Sequence, residues 1–285
     1  DAIFATNTSA LSVTAIQEGS PIAARVVGLH FFNPVPRMPL VEVIPCAETD
    51  PESVAIAMAL ARKLGKYPIL VKDSPGLLVN RLLLPYLDAA SRLLLAGVSG
   101  SHIDKVARVH GLPMGPFRLM DEVGLDIGIE VQETLHAAFG ERAASSPMLA
   151  KMVEKGWLGK KSGVGVYRHG GRDSTWIGDI AQMIRVQHST RTDAQIISSL
   201  IDPMIDEAAR CLDENVVADA GLLDLAMVMG TGFPPHLGGP LRAADAEGLD
   251  IIEKRLRAAH EDGSARSPCE GLVDRARRGV GFYGS

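Results

Sequence analysis

Apolar and polar positions alternate between two periods over the first part of the chain, and after residue 73 one period takes over. Ala2 to Ala5 reads as a strand, closed by the polar turn Thr6 to Ser9, and a short helix is expected over Ser12 to Glu18. Arg25-Val26-Val27-Gly28-Leu29-His30-Phe31 is an apolar, β-branched run of the kind found in buried strands. Pro34, Pro36 and Pro39 break the chain after it, and Leu40-Val41-Glu42-Val43-Ile44-Pro45 reads as the next strand. Pro51 to Leu64 has helical spacing and stops at Gly65, a residue suited to ending a helix. Tyr67 to Lys72 is strand-like again. Strands alternating with helices predict part of an α/β sheet.

Beyond Asp73-Ser74-Pro75-Gly76 the reading becomes helical. Leu77 to Leu95 keeps apolar residues at helical spacing for about five turns. Gly97 to Ser101 ends it, and the remainder is mostly helical. This helical part repeats itself. Pro85-Tyr86-Leu87-Asp88-Ala89-Ala90-Ser91-Arg92 resembles Pro203-Met204-Ile205-Asp206-Glu207-Ala208-Ala209-Arg210. Gly124-Leu125-Asp126 matches Gly248-Leu249-Asp250, each after a Gly/Pro-rich turn. Gly163-Val164-Gly165-Val166-Tyr167 matches Gly279-Val280-Gly281-Phe282-Tyr283. The expected organisation is an α/β part over residues 1–72, a helical unit over 73–168 and a second helical unit over 192–285. A linker is expected around 168–192, with His169 to Asp173 as an exposed loop.

Composition narrows the classes of function. The 285 residues are 46% hydrophobic and 22% charged, as expected of a folded globular chain. The net charge is -5 and no Lys/Arg-rich run is present, which argues against nucleic acid; Arg275-Ala276-Arg277-Arg278 reads as a solvated helix end. Cys46, Cys211 and Cys269 are widely spaced, and the eight histidines form no metal-ligand pattern, so no metal is expected. A reduced, cytoplasmic setting is the default for such cysteines. The most apolar stretch, Gly76 to Leu95, is interrupted by Asn80, Arg81, Asp88 and Arg92, so no transmembrane segment is expected. Asp1 to Asn7 starts like a buried strand with no lead-in, which gives the expectation of a fragment of a longer polypeptide.

The densest polar signal lies in the α/β part. His30 ends a strand, where α/β proteins place ligands, and Glu42 lies in the next strand candidate. Paired, they would make a proton-transfer centre, with an imidazole oriented by a buried carboxylate. By pattern alone the plainer alternatives carry more weight: a hydrogen-bonded core histidine, and a glutamate facing solvent from an edge strand. Asn80, in the first turn after the Pro-Gly bend, and Ser9, after Asn7-Thr8, are as well explained by capping as by function. Gly279-x-Gly281-x-x-Gly284 has the form of a dinucleotide fingerprint but lacks the strand before it and the helix after it. It reads as a glycine turn closing a helical repeat, and no other string of that form occurs.

Four motifs taken together resemble the 3-hydroxyacyl-CoA dehydrogenases. They are Asn7-Thr8-Ser9-Ala10-Leu11, His30-Phe31-Phe32-Asn33-Pro34-Val35-Pro36, Leu40-Val41-Glu42-Val43 and Asp73-Ser74-Pro75-Gly76-Leu77-Leu78-Val79-Asn80-Arg81. The resemblance implies the second half of a Rossmann-type NAD-binding domain, followed by two related helical dehydrogenase domains. It makes His30 the acid/base on the 3-hydroxyl and Glu42 its partner. Asn80 would bind substrate, Ser9 would contact substrate and nicotinamide, and Asn33 would contact NAD. The reaction implied is reversible oxidation of an L-3-hydroxyacyl-CoA to the 3-ketoacyl-CoA in fatty-acid β-oxidation. The duplicated helical unit is most similar to the multifunctional α-subunits, which imply an enoyl-CoA hydratase domain, a first Rossmann half with the glycine fingerprint, a thiolase subunit and a possible homodimer as partners. Without that first half, weak or absent turnover is expected of these 285 residues alone. In the second repeat Ser198 stands opposite Asn80, and Leu241-Arg242-Ala243-Ala244-Asp245 lacks the tyrosine often found there in the family, so packing is its expected role. A non-catalytic assembly module and a 3-hydroxybutyryl-CoA dehydrogenase-type paralogue are the alternatives.

Overall fold

The computed structural model describes residues 2–8, 12–170, 175–176 and 190–284. Contacts group them into two compact units. One contains Asp1–Arg81, Ala208–Leu249 and Cys269–Ser285; the other contains Leu82–Glu207 and Asp250–Pro268.

The first unit is built on a four-stranded sheet of β1 (Phe4–Thr6), β2 (Val26–Phe31), β3 (Leu40–Pro45) and β4 (Tyr67–Leu70), in that order. β1 and β2 are parallel, β2 and β3 antiparallel, β3 and β4 parallel. The first strand thus runs later than the Ala2 to Ala5 expected from the pattern: Ala2 is exposed, and pairing with Val26 begins at Phe4. A short helix and a longer one accompany these strands. Helix α1 (Val13–Glu18) begins at Ser12, whose hydroxyl accepts from Ala15 N. Asp73, beyond β4, reaches back to it and accepts from Ser12 Oγ, Val13 N and Thr14 N. Burial pushes the Asp73 carboxyl up, but these hydrogen bonds outweigh it and hold the group below the usual carboxylate range. Helix α2 (Pro51–Lys63) has Asp50 as its cap, accepting from Ser53 N at 2.6 Å, with Pro51 in the first turn and Arg62 and Lys63 in the last.

Strand parity sorts the side chains. Val27, Leu29, Val41 and Val43 form one buried cluster with Ala57 and Ala61 of α2. Residues of the other parity (Gly28, His30, Leu40, Glu42 and Ile44) therefore face away from α2. Against that second face comes helix α9 (Ala220–Thr231), where a Cβ on Gly230 would stand 2.7 Å from Leu40 Cδ2. Both faces are covered, so apolar runs rather than strict alternation mark these strands. The sheet followed by helices matches the α/β-then-α class expected from sequence.

The helical part comprises α3 (Val79–Leu95), α4 (Gly100–His110), α5 (Pro116–Val123), α6 (Leu125–Phe139) and α7 (Met148–Glu154). After a small hairpin of β5 (Tyr167–Arg168) and β6 (Thr175–Trp176), it continues with α8 (Asp193–Asp213), α9, α10 (Pro240–Glu247), α11 (Leu249–Glu261) and α12 (Glu270–Arg278). The sequence repeat has a matching hydrogen-bond pattern. In the first copy Asp104 accepts from Phe117 N, Arg118 N and Tyr167 Oη at 2.9, 3.1 and 2.7 Å. In the second, Asp224 accepts from Leu241 N, Arg242 N and Tyr283 Oη at 2.8, 2.9 and 2.7 Å. Asp121 takes Val166 N and Tyr167 N, and Asp245 takes Phe282 N and Tyr283 N. The guanidinium of Arg118 lies over the Tyr167 ring, as that of Arg242 lies over Tyr283. Asp104 and Asp224 thus satisfy the orphan N–H groups of a helix start and fasten the closing tyrosine, whose own N–H is taken by Asp121 or Asp245.

Gly281 belongs to this arrangement: a Cβ there would stand 2.5 Å from Asp245 Oδ2. The Gly279 to Gly284 string is therefore a turn pressed on a carboxylate, as its context suggested. One expectation fails. His169 is not on an exposed loop; its Nε2 lies 2.7 Å from Asp121 Oδ2 and its side chain is 11% exposed. The carboxylate draws it inward. Gly171, Arg172 and Asp173 lie outside the described residues.

Candidate active site

The centre of the site is a cross-strand pair. In the antiparallel register of β2 and β3, His30 lies directly opposite Glu42, on the face away from α2. His30 Nδ1 is 2.6 Å from Glu42 Oε2. Glu42 is fully buried and His30 nearly so. The solvent-facing glutamate favoured by pattern alone does not occur, because β3 is not an edge strand: β4 pairs along its other side, Glu42 against Ile69.

A buried carboxylate has to be satisfied on both oxygens. Glu42 Oε1 accepts from Leu78 N at 3.2 Å and Val79 N at 3.0 Å, the N-terminal end of α3. The chain is bent into this position by two residues with positive φ, Gly76 at 73° and Leu77 at 54°. A left-handed leucine costs about 1–2 kcal/mol, so the burial of Leu77 and the two N–H bonds beyond it hold the turn. The same turn shifts the helix start from the expected Leu77 to Val79.

These bonds fix the chemistry of the imidazole. Glu42 can only accept, so Nδ1 carries the proton and Nε2 presents its lone pair. Among the described residues, none hydrogen-bonds Nε2. The Phe32 ring packs on the imidazole, centroids 4.7 Å apart, and restricts its rotation. An imidazole so held can take a proton from an alcohol and return it, with the carboxylate balancing the charge that forms.

The other sequence candidates fall around this pair in different ways. Asn80 follows Val79 in the first turn of α3 and is half-buried. Asn33 is exposed on the loop after β2. That loop shares a sheet edge with the end of β1, where Asn7 Oδ1 accepts from Phe31 N at 3.0 Å. Ser9 lies outside the described residues. Sequence reasoning missed the roles of the Leu78 and Val79 N–H groups, since backbone donors leave no side-chain signature. It also missed Arg81, which is 1% exposed and meets Glu214 Oε2 at 2.6 Å. An arginine inside an apolar run was the one available hint. Among the described residues, no group of His, Cys, Asp and Glu side chains could hold a metal ion, and no helix is long and apolar enough to cross a membrane.

Known proteins match this chain in sequence and in fold. The family model for the 3-hydroxyacyl-CoA dehydrogenase NAD binding domain matches residues 1–74, and that for the 3-hydroxyacyl-CoA dehydrogenase C-terminal domain matches 76–169. The chain is 39% identical over 285 residues to the fatty acid oxidation complex subunit alpha of Vibrio vulnificus, and 39% identical over 290 residues to that of Shewanella putrefaciens. Each alignment takes in 99% of this chain and 40% of the relative, so the chain spans well under half the length of these proteins. Among solved structures, a 3-hydroxybutyryl-CoA dehydrogenase of Escherichia coli K12 superposes with a TM-score of 0.81 at 26% identity, covering 97% of this chain and 75% of the other. The dehydrogenase part of multifunctional enzyme 1 from C. elegans gives 0.69 at 29% identity, covering 95% and 64%. With both domain models matched in sequence order, the chain belongs to the 3-hydroxyacyl-CoA dehydrogenase family.

Proposed function

We propose that this chain carries the acid–base centre of an NAD-dependent L-3-hydroxyacyl-CoA dehydrogenase of fatty-acid β-oxidation. The observation that carries this reading is the buried His30–Glu42 pair, with Nδ1 held by the carboxylate and Nε2 left for substrate. His30 Nε2 takes the proton of the 3-hydroxyl and returns it in reverse. Glu42 keeps the ring in the right tautomer and balances the imidazolium. Asn80, at the start of α3, hydrogen-bonds the substrate near the reacting carbon, and Ser9 contacts the same region. The chemistry that bound NAD supplies is acceptance of the hydride from that carbon.

The residues present fit the nicotinamide end of such a cofactor. β1 and β2 are parallel and end at one sheet edge, where Asn33 is exposed and where open α/β sheets take their ligands. Within these 285 residues no glycine fingerprint opens a βαβ unit, so cofactor affinity and turnover of this polypeptide alone are expected to be weak. The further partners we assign are an enoyl-CoA hydratase domain, a glycine-fingerprint Rossmann half and a thiolase subunit, with homodimer formation, in the cytoplasm. At sequence level the domains are placed at 1–72, 73–168 and 192–285. The high structural similarity to a protein named 3-hydroxybutyryl-CoA dehydrogenase supports a second reading, a preference for short acyl chains.

The test is NADH oxidation with acetoacetyl-CoA, in this chain and with a dinucleotide-binding βαβ segment joined upstream, each beside His30→Ala. Loss of about 10²- to 10⁴-fold in kcat on substitution is expected of an acid/base. Equal rates in wild type and His30→Ala would overturn the proposal and favour a non-catalytic assembly role. Comparison with a longer 3-ketoacyl-CoA decides the chain-length preference.

A further inference from the structure

The first turn of α3 is held from two sides. On one side is the sheet, through Glu42 and the N–H groups of Leu78 and Val79. On the other side are residues of the second sequence repeat. Arg81 is among the largest fully buried side chains of the chain, and its partner Glu214 lies just beyond the end of α8 and is partly open to solvent. The connection from α8 to α9 is tied to the segment after β4 by Lys72 N donating to Val216 O at 2.8 Å. Gly230 of α9 then sits where β3 and α3 meet. A Cβ there would stand 2.7 Å from Leu40 Cδ2 on β3 and 3.3 Å from Val79 Cγ2 on α3. Leu40 and Val79 are both fully buried, so neither can swing away freely.

We propose that Arg81 and Glu214 are a positioning pair, through which the second repeat sets the geometry of the His30–Glu42 dyad; this rests on the acid–base reading of that dyad. The chain of dependence is short. Glu42 Oε1 is fixed by two N–H groups, and those groups move with the first turn of α3. Arg81 belongs to that turn, and a buried guanidinium follows its carboxylate. If Glu214 is neutralised, the turn loses one of its anchors, the two N–H bonds lengthen, and Glu42 can rotate away from Nδ1. The second repeat has Ser198 in place of the substrate asparagine, yet in this way it still serves the chemistry. Misplacement on the order of 1 Å at such a centre costs about 10²-fold in rate, so the effect on turnover is large even though neither Arg81 nor Glu214 touches substrate.

The experiment is imidazole ¹⁵N and ¹H NMR of the 285-residue chain, which reports the His30 tautomer and the exchange of its Nδ1 proton without needing turnover. Glu42→Gln is the reference for a broken dyad, Glu214→Gln and Gly230→Ala are the two test variants, and Asp274→Asn, which breaks an exposed i,i+4 pair with Arg278, is the control. Glu42→Gln should abolish the Nδ1–H state. Glu214→Gln and Gly230→Ala should speed exchange of that proton by about tenfold or more, with Asp274→Asn unchanged, and Glu214→Asp should restore part of the protection. A merely structural pair gives a different pattern. There Glu214→Gln and Gly230→Ala lower the melting temperature while His30 tautomer and exchange stay as in wild type, and that result overturns the proposal. If Glu42→Gln itself leaves the His30 signals unaltered, the dyad reading fails instead, and the two failures are told apart.

Discussion

Glu42 invites a paired substitution whose two arms differ by a predictable amount. The side chain is fully buried and accepts three hydrogen bonds, from His30 Nδ1, Leu78 N and Val79 N. Glu42→Ala removes every acceptor. His30 can change tautomer and drop its own demand, but the two backbone N–H groups cannot. At about 1–3 kcal/mol for each orphaned buried donor, the alanine variant loses roughly 2–6 kcal/mol before any cavity cost. Glu42→Gln keeps an oxygen where Oε1 stands and turns its amide toward Nδ1, which the neutral ring can meet by becoming an acceptor there. Its cost is the charge assistance of the bonds that the carboxylate accepted, about 1–2 kcal/mol. At the middle of these ranges the gap between the variants in urea unfolding is about 2.5 kcal/mol, and the cavity left by alanine widens it. In turnover both should be alike, because in each Nε2 no longer has to be the bare nitrogen; a fall of about 10²- to 10⁴-fold is expected. Alanine and glutamine variants of equal stability would refute the reasoning, since the N–H groups of α3 would then not depend on Glu42.

Other predictions concern the duplicated clamps. Burial holds the Asp104 and Asp224 carboxyls above the usual carboxylate range, against hydrogen bonds from Tyr167 and Tyr283 that lower them. A raised folded pKa means that the native state binds the proton more tightly. The contribution is therefore complete below the unfolded value, about pH 4, and is lost as pH rises through the folded one. Asp104→Asn and Asp224→Asn should each flatten the fall of stability with pH above about 4, as read from melting temperatures across pH; an unchanged slope in both would count against buried, strained carboxylates. Gly115 and Gly239 lie so close to these groups that a Cβ would stand 2.3 Å from Asp104 Cα in one copy and from Asp224 Cβ in the other. Gly115→Ala and Gly239→Ala should each destabilise by about 1–3 kcal/mol or more, and a variant as stable as wild type in chemical denaturation would contradict the packing.

Much of this was legible in the sequence for reasons that can be named. The β2 and β3 runs, the proline break between them and the spacing of His30 and Glu42 are local, and two adjacent strands joined by a short loop bring such residues opposite one another. What made Glu42 look solvent-facing was a non-local fact. Only the pairing of Leu40 with Tyr67 turns β3 from an edge strand into an inner one, and nothing near Glu42 encodes that. The start of α3 was misplaced because Leu77 is apolar at helical spacing yet adopts a left-handed backbone, a conformation that leucine rarely signals. The repeat was visible because its glycines mark the places where a carboxylate passes, and no side chain fits there. The Arg81–Glu214 pair joins positions far apart in the chain, and no periodicity connects them.

The two copies also explain why the proposed site occurs once and not twice. Aligned on Pro85 and Pro203, Asn80 falls on Ser198, but the difference is greater than one side chain. α3 starts at Val79, so the N–H groups around Asn80 belong to a helix beginning and are open to Glu42. α8 starts at Asp193, so the matching position is already inside a helix whose N–H groups are engaged. There Ser198 Oγ donates to Gln195 O at 3.2 Å, a bond within its own helix. Extending the helix upstream removed the donors that could receive a carboxylate, and with them the means to build a dyad. Ser198→Asn should consequently leave kcat and KM within about twofold of wild type and shift stability by less than about 0.5 kcal/mol, as for a surface change that touches no such feature. A gain in substrate affinity from that substitution would show that the asparagine alone, and not the helix beginning, makes the site.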